Sequence, residues 1–123
     1  MSLRRVIEQD TLRLLDGDQD ILSMEEQAEE DRVKITLRGM LRSDTVFDFQ
    51  DELEGLAILG MSLVLDFSGV TYLSTSCQQA LILVQQKLDT AGKGTLLLTG
   101  LPQEIYGELE KTGASELLMI DET

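Results

Sequence analysis

Between Arg32 and Arg38, apolar Val33, Ile35 and Leu37 alternate with Lys34, Thr36 and Arg38. This is the period of a strand with one buried face. The pattern predicts that strand to stop at Gly39. Val46, Phe49, Leu53 and Leu56 then recur at steps of three or four, with Asp48, Asp51, Glu52 and Glu54 on the other side. Residues 44–59 therefore read as an amphipathic helix, with Asp44 as its N-cap and Gly60 as its stop. Leu63-Val64-Leu65, running into Asp66-Phe67, is a short apolar run that suits a strand covered on both faces. Helical spacing resumes with Ala80, Leu81, Val84 and Leu88 and ends near Ala91-Gly92. Residues 95–99, with three consecutive leucines, read as a second buried strand. Pro102 suits the first turn of another helix, with Ile105 and Leu109 on its inner face and Gly113 at its end. Residues 117–120 read as a last short strand.

The first 32 residues are patterned differently: they hold ten acidic and four basic residues and few apolar runs. Residues 3–15 fit either a short helix or extended chain. Asp16-Gly17-Asp18 is a turn signal. Ile21 to Gln27 reads as an edge strand, joined through an exposed turn at Glu29-Glu30-Asp31 to the strand that follows. An initial hairpin followed by strand, helix, strand, helix, strand defines an α/β or α+β fold. It predicts a mixed sheet of four to five strands, parallel in its later part, with about three helices packed against it.

Composition removes several functions. The 123 residues include 23 Asp or Glu, 10 Lys or Arg and no His, a formal net charge of −13. Nucleic acid and anionic membrane are poor partners for such a chain, because phosphate recognition draws on clustered Lys and Arg. Without histidine there is no Ser–His or Cys–His nucleophile, no His-ligated zinc and no imidazole switch. A single cysteine forms no intramolecular disulfide. At 42% apolar residues the chain can build a core, yet no run is long enough to span a bilayer. We expect one cytoplasmic domain without metal or cofactor.

Candidate chemistry lies where parallel strands end and helices begin. Here that place is Ser68 to Cys77, and Ser74, Thr75 and Ser76 put three hydroxyls at the helix entrance. Thr75 followed by Gln78, or Ser76 followed by Gln79, has capping-box spacing. These hydroxyls can simply cap the helix, or one of them can accept a phosphate. A phosphoryl group adds roughly 1.5 to 2 negative charges and is tolerated at a helix N-terminus. Residues 67–101 carry only Lys87, Asp89 and Lys93 as charges, so one phosphate would change the local field sharply. Cys77 reads as a small half-buried residue rather than a reactive thiol, and Asp66 as a loop-ordering group that accepts N–H bonds from residues 68–70.

The stretch Leu63 to Ser76 resembles the corresponding segment of the STAS domain family of bacterial anti-sigma-factor antagonists, in which an apolar strand ends in Asp, then Ser-Gly-Val, then an acceptor loop. The likeness runs over roughly residues 20–120. It includes Lys34-Ile35-Thr36-Leu37-Arg38-Gly39, and Leu98 to Ile105 followed by Leu109-Glu110-Lys111-Thr112-Gly113. It implies a single STAS-like domain over residues 20–123, preceded by an extension of unassigned structure at 1–19. It also implies a non-enzymatic module that docks onto an anti-sigma factor or related serine/threonine kinase, or onto other STAS proteins. Thr75 falls on the family's phospho-acceptor position, with Ser74 and Ser76 as alternatives. Ser74 replaces the family's acid and Cys77 its glycine. The docking residues would be Tyr72, Leu73, Ser74, Thr75, Ser76, Gln78 and Gln79, with Asp66 and Gly69 ordering the loop. The alternative is a constitutive scaffold subunit of a stressosome-like or membrane-transport complex.

Overall fold

The fold was obtained as a computed structural model that describes residues 3–92 and 94–121. Lys93, one of the three charges of residues 67–101, lies outside them. Seven strands run in the order β1 (Arg4–Glu8), β2 (Thr11–Asp16), β3 (Gln19–Ala28), β4 (Arg32–Leu41), β5 (Ser62–Leu73), β6 (Leu96–Thr99) and β7 (Met119–Ile120). The helices α1 (Val46–Ile58), α2 (Thr75–Ala91) and α3 (Gln103–Thr112) connect β4 to β5, β5 to β6 and, with a 3-10 turn at Ala114–Glu116, β6 to β7. Strands lie side by side in chain order: β1 to β4 are antiparallel, and β4 to β7 are parallel.

The sheet thus has seven strands, not four to five. Two of the extra strands come from residues 4–16, whose Leu12 and Leu14 face inward while Arg13 faces out. As a result β3 is not an edge strand; β2 covers its outer side. The expected β3–β4 hairpin is present, closed by Glu29 N–H donating to the Arg32 carbonyl at 2.8 Å. One face of the sheet packs under the helices. There Leu12, Leu14, Leu22, Met24, Val33, Ile35, Leu37, Leu63, Leu65, Phe67, Leu96 and Leu98 join Phe49 and Leu53 of α1, Leu81, Val84 and Leu88 of α2, and Ile105 and Leu109 of α3. The opposite face stays partly open: Val64, Asp66 and Leu97 are half-exposed, so β5 is not covered on both sides as its apolar run suggested.

Two strands run further than expected. Gly39 does not end β4, which continues to Leu41. It sits opposite Leu22 with φ +106°, and a Cβ there would overlap the Ile21 carbonyl oxygen. Only glycine fits such a position inside a strand. β5 does not stop at Phe67 but reaches Leu73. Val33 faces Leu63 whereas Leu41 faces Leu73, so β5 gains two residues over its neighbour through irregularities in the register. Its inward residues accordingly change from Leu63, Leu65 and Phe67 to Val70 and Leu73, a step of two becoming a step of three.

Candidate functional site

Because β4 and β5 are parallel and in register at Leu41 and Leu73, the segments that leave them emerge side by side. Residues 42–45 lead into α1, and the single residue Ser74 leads into α2. Ser74 N–H donates to the Leu41 carbonyl at 2.8 Å, tying the two exits together. The hydroxyl-bearing loop read from the sequence is therefore mostly strand.

Ser74 is the cap of α2. Its backbone is extended (φ −75°, ψ 159°), its Oγ accepts from Cys77 N–H at 3.2 Å, and its carbonyl accepts the first helical bond, from Gln78 N–H at 3.1 Å. Capping thus starts one residue before the box predicted at Thr75 and two before the one predicted at Ser76. Ser74 is 7% exposed, and its Oγ lies 3.0 Å from the half-buried Ser76 Oγ. Thr75 is the first helical residue, and its side chain is exposed, with no side-chain hydrogen bond among those of the described residues. Of the three candidate acceptors, the one matching the family's position is the one free of a structural task.

The docking candidates divide in the same way. Tyr72 and Gln79 are exposed, as Thr75 is. Leu73 is buried in the core, and Gln78 is 2% exposed with its Oε1 accepting from Thr112 Oγ1 of α3 at 2.5 Å. Both are corrected from contact to packing roles: Leu73 points inward from the strand end, and Gln78 turns toward α3.

The sequence reading missed the other wall. Arg42 Nε donates to Asp44 Oδ1 at 2.9 Å, which holds the Asp44 carboxyl below its ordinary range. Asp44 is thus an ion-pair partner and not the cap of α1; Thr45 occupies the cap position and bonds back to the Arg42 backbone at 3.0 Å. Met40, Arg42, Ser43, Asp44 and Tyr72 line a shallow groove. The available signal was positional: a polar Arg-Ser-Asp run directly after a strand parallel to the one carrying the hydroxyls.

Cys77 is fully buried, and its thiol donates to the Arg42 carbonyl at 3.4 Å. Burial pushes the thiol up, against smaller opposite effects of Ser74 and Thr45. It is a packing residue pinning α2 to the β4 exit. Asp66 accepts from Ser68 N–H at 2.9 Å. Burial raises its carboxyl, but the Ser68 backbone and hydroxyl bonds outweigh this and hold it below its ordinary value. Gly69 leaves room for the Arg38 side chain and the Leu37 carbonyl, which a Cβ would meet at 3.0 and 3.1 Å. Among the described residues no group of His, Cys, Asp or Glu is arranged to hold a metal ion, and no helix is long and apolar enough to cross a membrane.

A mixed sheet with helices on one face, and an exposed hydroxyl starting the helix after its central parallel strand, defines an α+β domain with a hydroxyl-bearing polar surface at the strand ends. The family described as "Mlab, STAS domain" matches residues 24–120, and the chain belongs to the STAS domain family. No curated protein matches the sequence. Among solved structures, the chain is similar to an anti-sigma factor antagonist from Mycobacterium paratuberculosis (14% identity, 83% of this chain and 86% of that one, TM-score 0.74). It is also similar to the Bacillus cell fate determinant SpoIIAA in the phosphorylated form (13%, 80% and 90%, 0.62). A third similarity is to the murine solute carrier 26 family member A9 anion transporter (18%, 94% of this chain and 18% of that one, 0.60). At these identities the likeness to the solved structures is one of fold.

Proposed function

We propose that this chain is a non-enzymatic, cytoplasmic interaction module that works as an anti-sigma-factor antagonist. It docks onto an anti-sigma factor with serine/threonine kinase activity through Tyr72, Thr75, Gln79 and the groove beside Arg42 and Asp44, and phosphorylation of Thr75 releases it. The observation that carries the reading is the division of labour at the entrance of α2: Ser74 caps, Ser76 bonds to Ser74, and Thr75 stands exposed. A phosphate on Thr75 would leave the cap and core intact. Its charge would fall on the docking surface, so that repulsion and desolvation act on the partner and not on the fold. A structural neighbour described in the phosphorylated form supports the reading.

The test is mass spectrometry after incubation with the co-purifying partner kinase and ATP, followed by titration of variants. Phosphate on Thr75 is expected, with Thr75→Glu weakening binding about tenfold or more and Thr75→Val binding nearly as wild type. Equal affinity of the two variants would refute the switch. A second reading, a constitutive subunit of a larger assembly, is favoured by Ser74 and Cys77 standing where the acceptor motif has acid and glycine, and by the likeness to one part of a transporter. It predicts no phosphate on residues 74–76 and full complex formation by Thr75→Ala.

A further inference from the structure

The edge strand β1 precedes the segment matched by the family; one of its edges pairs with β2, and among the described residues no strand pairs with the other. Glu8 and Thr11 flank the two-residue turn Gln9-Asp10, in which Gln9 takes φ +53°. In such a hairpin the flanking pair is hydrogen-bonded and bonding alternates along the strand, so Glu8, Val6 and Arg4 direct their backbone groups at β2. The N–H and C=O groups of Arg5 and Ile7 therefore point away from the sheet. An edge of this kind is a template for another strand.

The side chains select which strand. Arg5 lies on the helix face, where it pairs with Asp48 of α1 at 3.1 Å and Glu52 at 3.8 Å, and Ile7 on the same face is 68% exposed. Arg4, Val6 and Glu8 share the opposite face by strand alternation. An antiparallel copy of β1 related by a two-fold axis at Val6 places Arg5 opposite the partner's Ile7 in a bonded pair, and Ile7 opposite the partner's Arg5 in another. Arg4 then faces the partner's Glu8 in the closer, non-bonded spacing, twice over. Moving the axis to Arg5 sets like charges opposite each other. Moving it to Ile7 brings Arg5 against the partner's Gln9, already in the turn. Only the axis at Val6 satisfies both the backbone and the charges. Glu8 gives Oε1 to Arg13 of its own chain at 2.9 Å, which leaves its other oxygen for a second partner.

We propose that the free edge of β1 is a self-association surface, on which a second copy of this chain adds antiparallel across a two-fold axis at Val6 and joins the two sheets into one. The apolar gain is the covering of Ile7 by the arginine stem opposite it, and specificity comes from the paired Arg4–Glu8 contacts. A five-residue edge buries less than the area typical of permanent dimers, so the association is weak and concentration-dependent. β7, at the other side of the sheet, offers only two residues and cannot substitute.

Sedimentation velocity on the full chain, from about 5 to about 500 µM, tests this. Wild type should show a reversible monomer–dimer equilibrium. Arg4→Glu alone and Glu8→Arg alone should each weaken it about tenfold or more, because each sets like charges opposite one another twice. An equimolar mixture of the two variants should restore association as a heterodimer, and the double variant Arg4→Glu/Glu8→Arg should restore the homodimer. Circular dichroism of each variant verifies the fold before mixing, because Glu8→Arg also removes the pair with Arg13 of its own chain, and the mixture is made only from folded variants. Wild type that stays monomeric throughout, dimers indifferent to the single reversals, or a mixture that fails to associate would each overturn the proposal.

Discussion

Replacing Ser74 by alanine removes the only side-chain acceptor of the Cys77 N–H. That N–H belongs to a fully buried residue, so water does not take over the bond. Loss of a Ser N-cap costs about 1 kcal/mol, and leaving a buried donor unpaired moves the figure toward about 2. We expect Ser74→Ala to lose about 1.5 kcal/mol. With an unfolding entropy of about 2.1 cal/mol/K per residue, 123 residues give about 4 °C per kcal/mol, so the melting temperature should fall by about 6 °C. Thr75→Ala is the control. Its hydroxyl is exposed outside the cap, and alanine is the better helix former, so stability should stay within about 0.5 kcal/mol or rise slightly. Urea unfolding followed by far-UV circular dichroism measures both. If Thr75→Ala cost as much as Ser74→Ala, the cap would lie one residue later, and Thr75 would not be spare for modification. Ser74→Asp, which restores the family's acid, should retain the stability, because aspartate caps as well as serine.

Cys77 should react with a thiol reagent at pH 8 only on unfolding, given its burial and raised thiol pKa; fast labelling of the native chain would contradict its packing role. Glu26 of β3 is pushed up to about 7 by burial and by the neighbouring Glu52 of α1. The folded chain therefore holds this proton more tightly than the unfolded one, whose value is near 4.5. Stability should fall as pH rises from about 4.5 to about 7, and Glu26→Gln should flatten that slope and gain about 1 kcal/mol at pH 8, after allowance for the solvent reaching the pair. An unchanged pH profile in Glu26→Gln would exclude the carboxyl pair as its source. Gly39→Ala should destabilise by about 2–4 kcal/mol in chemical denaturation, since its Cβ meets the Ile21 carbonyl at a positive φ.

Local periodicity alone supplied β4, α1, the body of α2 and α3, because each buries one face with an undisturbed repeat: Val33, Ile35 and Leu37; Phe49 and Leu53; Leu81, Val84 and Leu88; Ile105 and Leu109. The absence of histidine and the acidic excess narrowed the chemistry before any fold was considered, and the run Leu63 to Ser76 pointed to the family and to Thr75. Tertiary structure decided the rest where the repeat breaks. In β5 each irregularity inserts a residue, so Phe67, Val70 and Leu73 follow at steps of three, and residues 68–73 read as a loop although they are strand. In residues 3–15 the alternation is too short to exclude a helix, and the pairing of β1 with β2 and of β2 with β3 settles the segment as two strands. The division of roles among Ser74, Thr75 and Ser76 was beyond a one-dimensional reading for a related reason. Which of three adjacent hydroxyls turns inward depends on where β5 ends, and that is fixed by its parallel neighbour β4, whose last residue, Leu41, holds the Ser74 N–H.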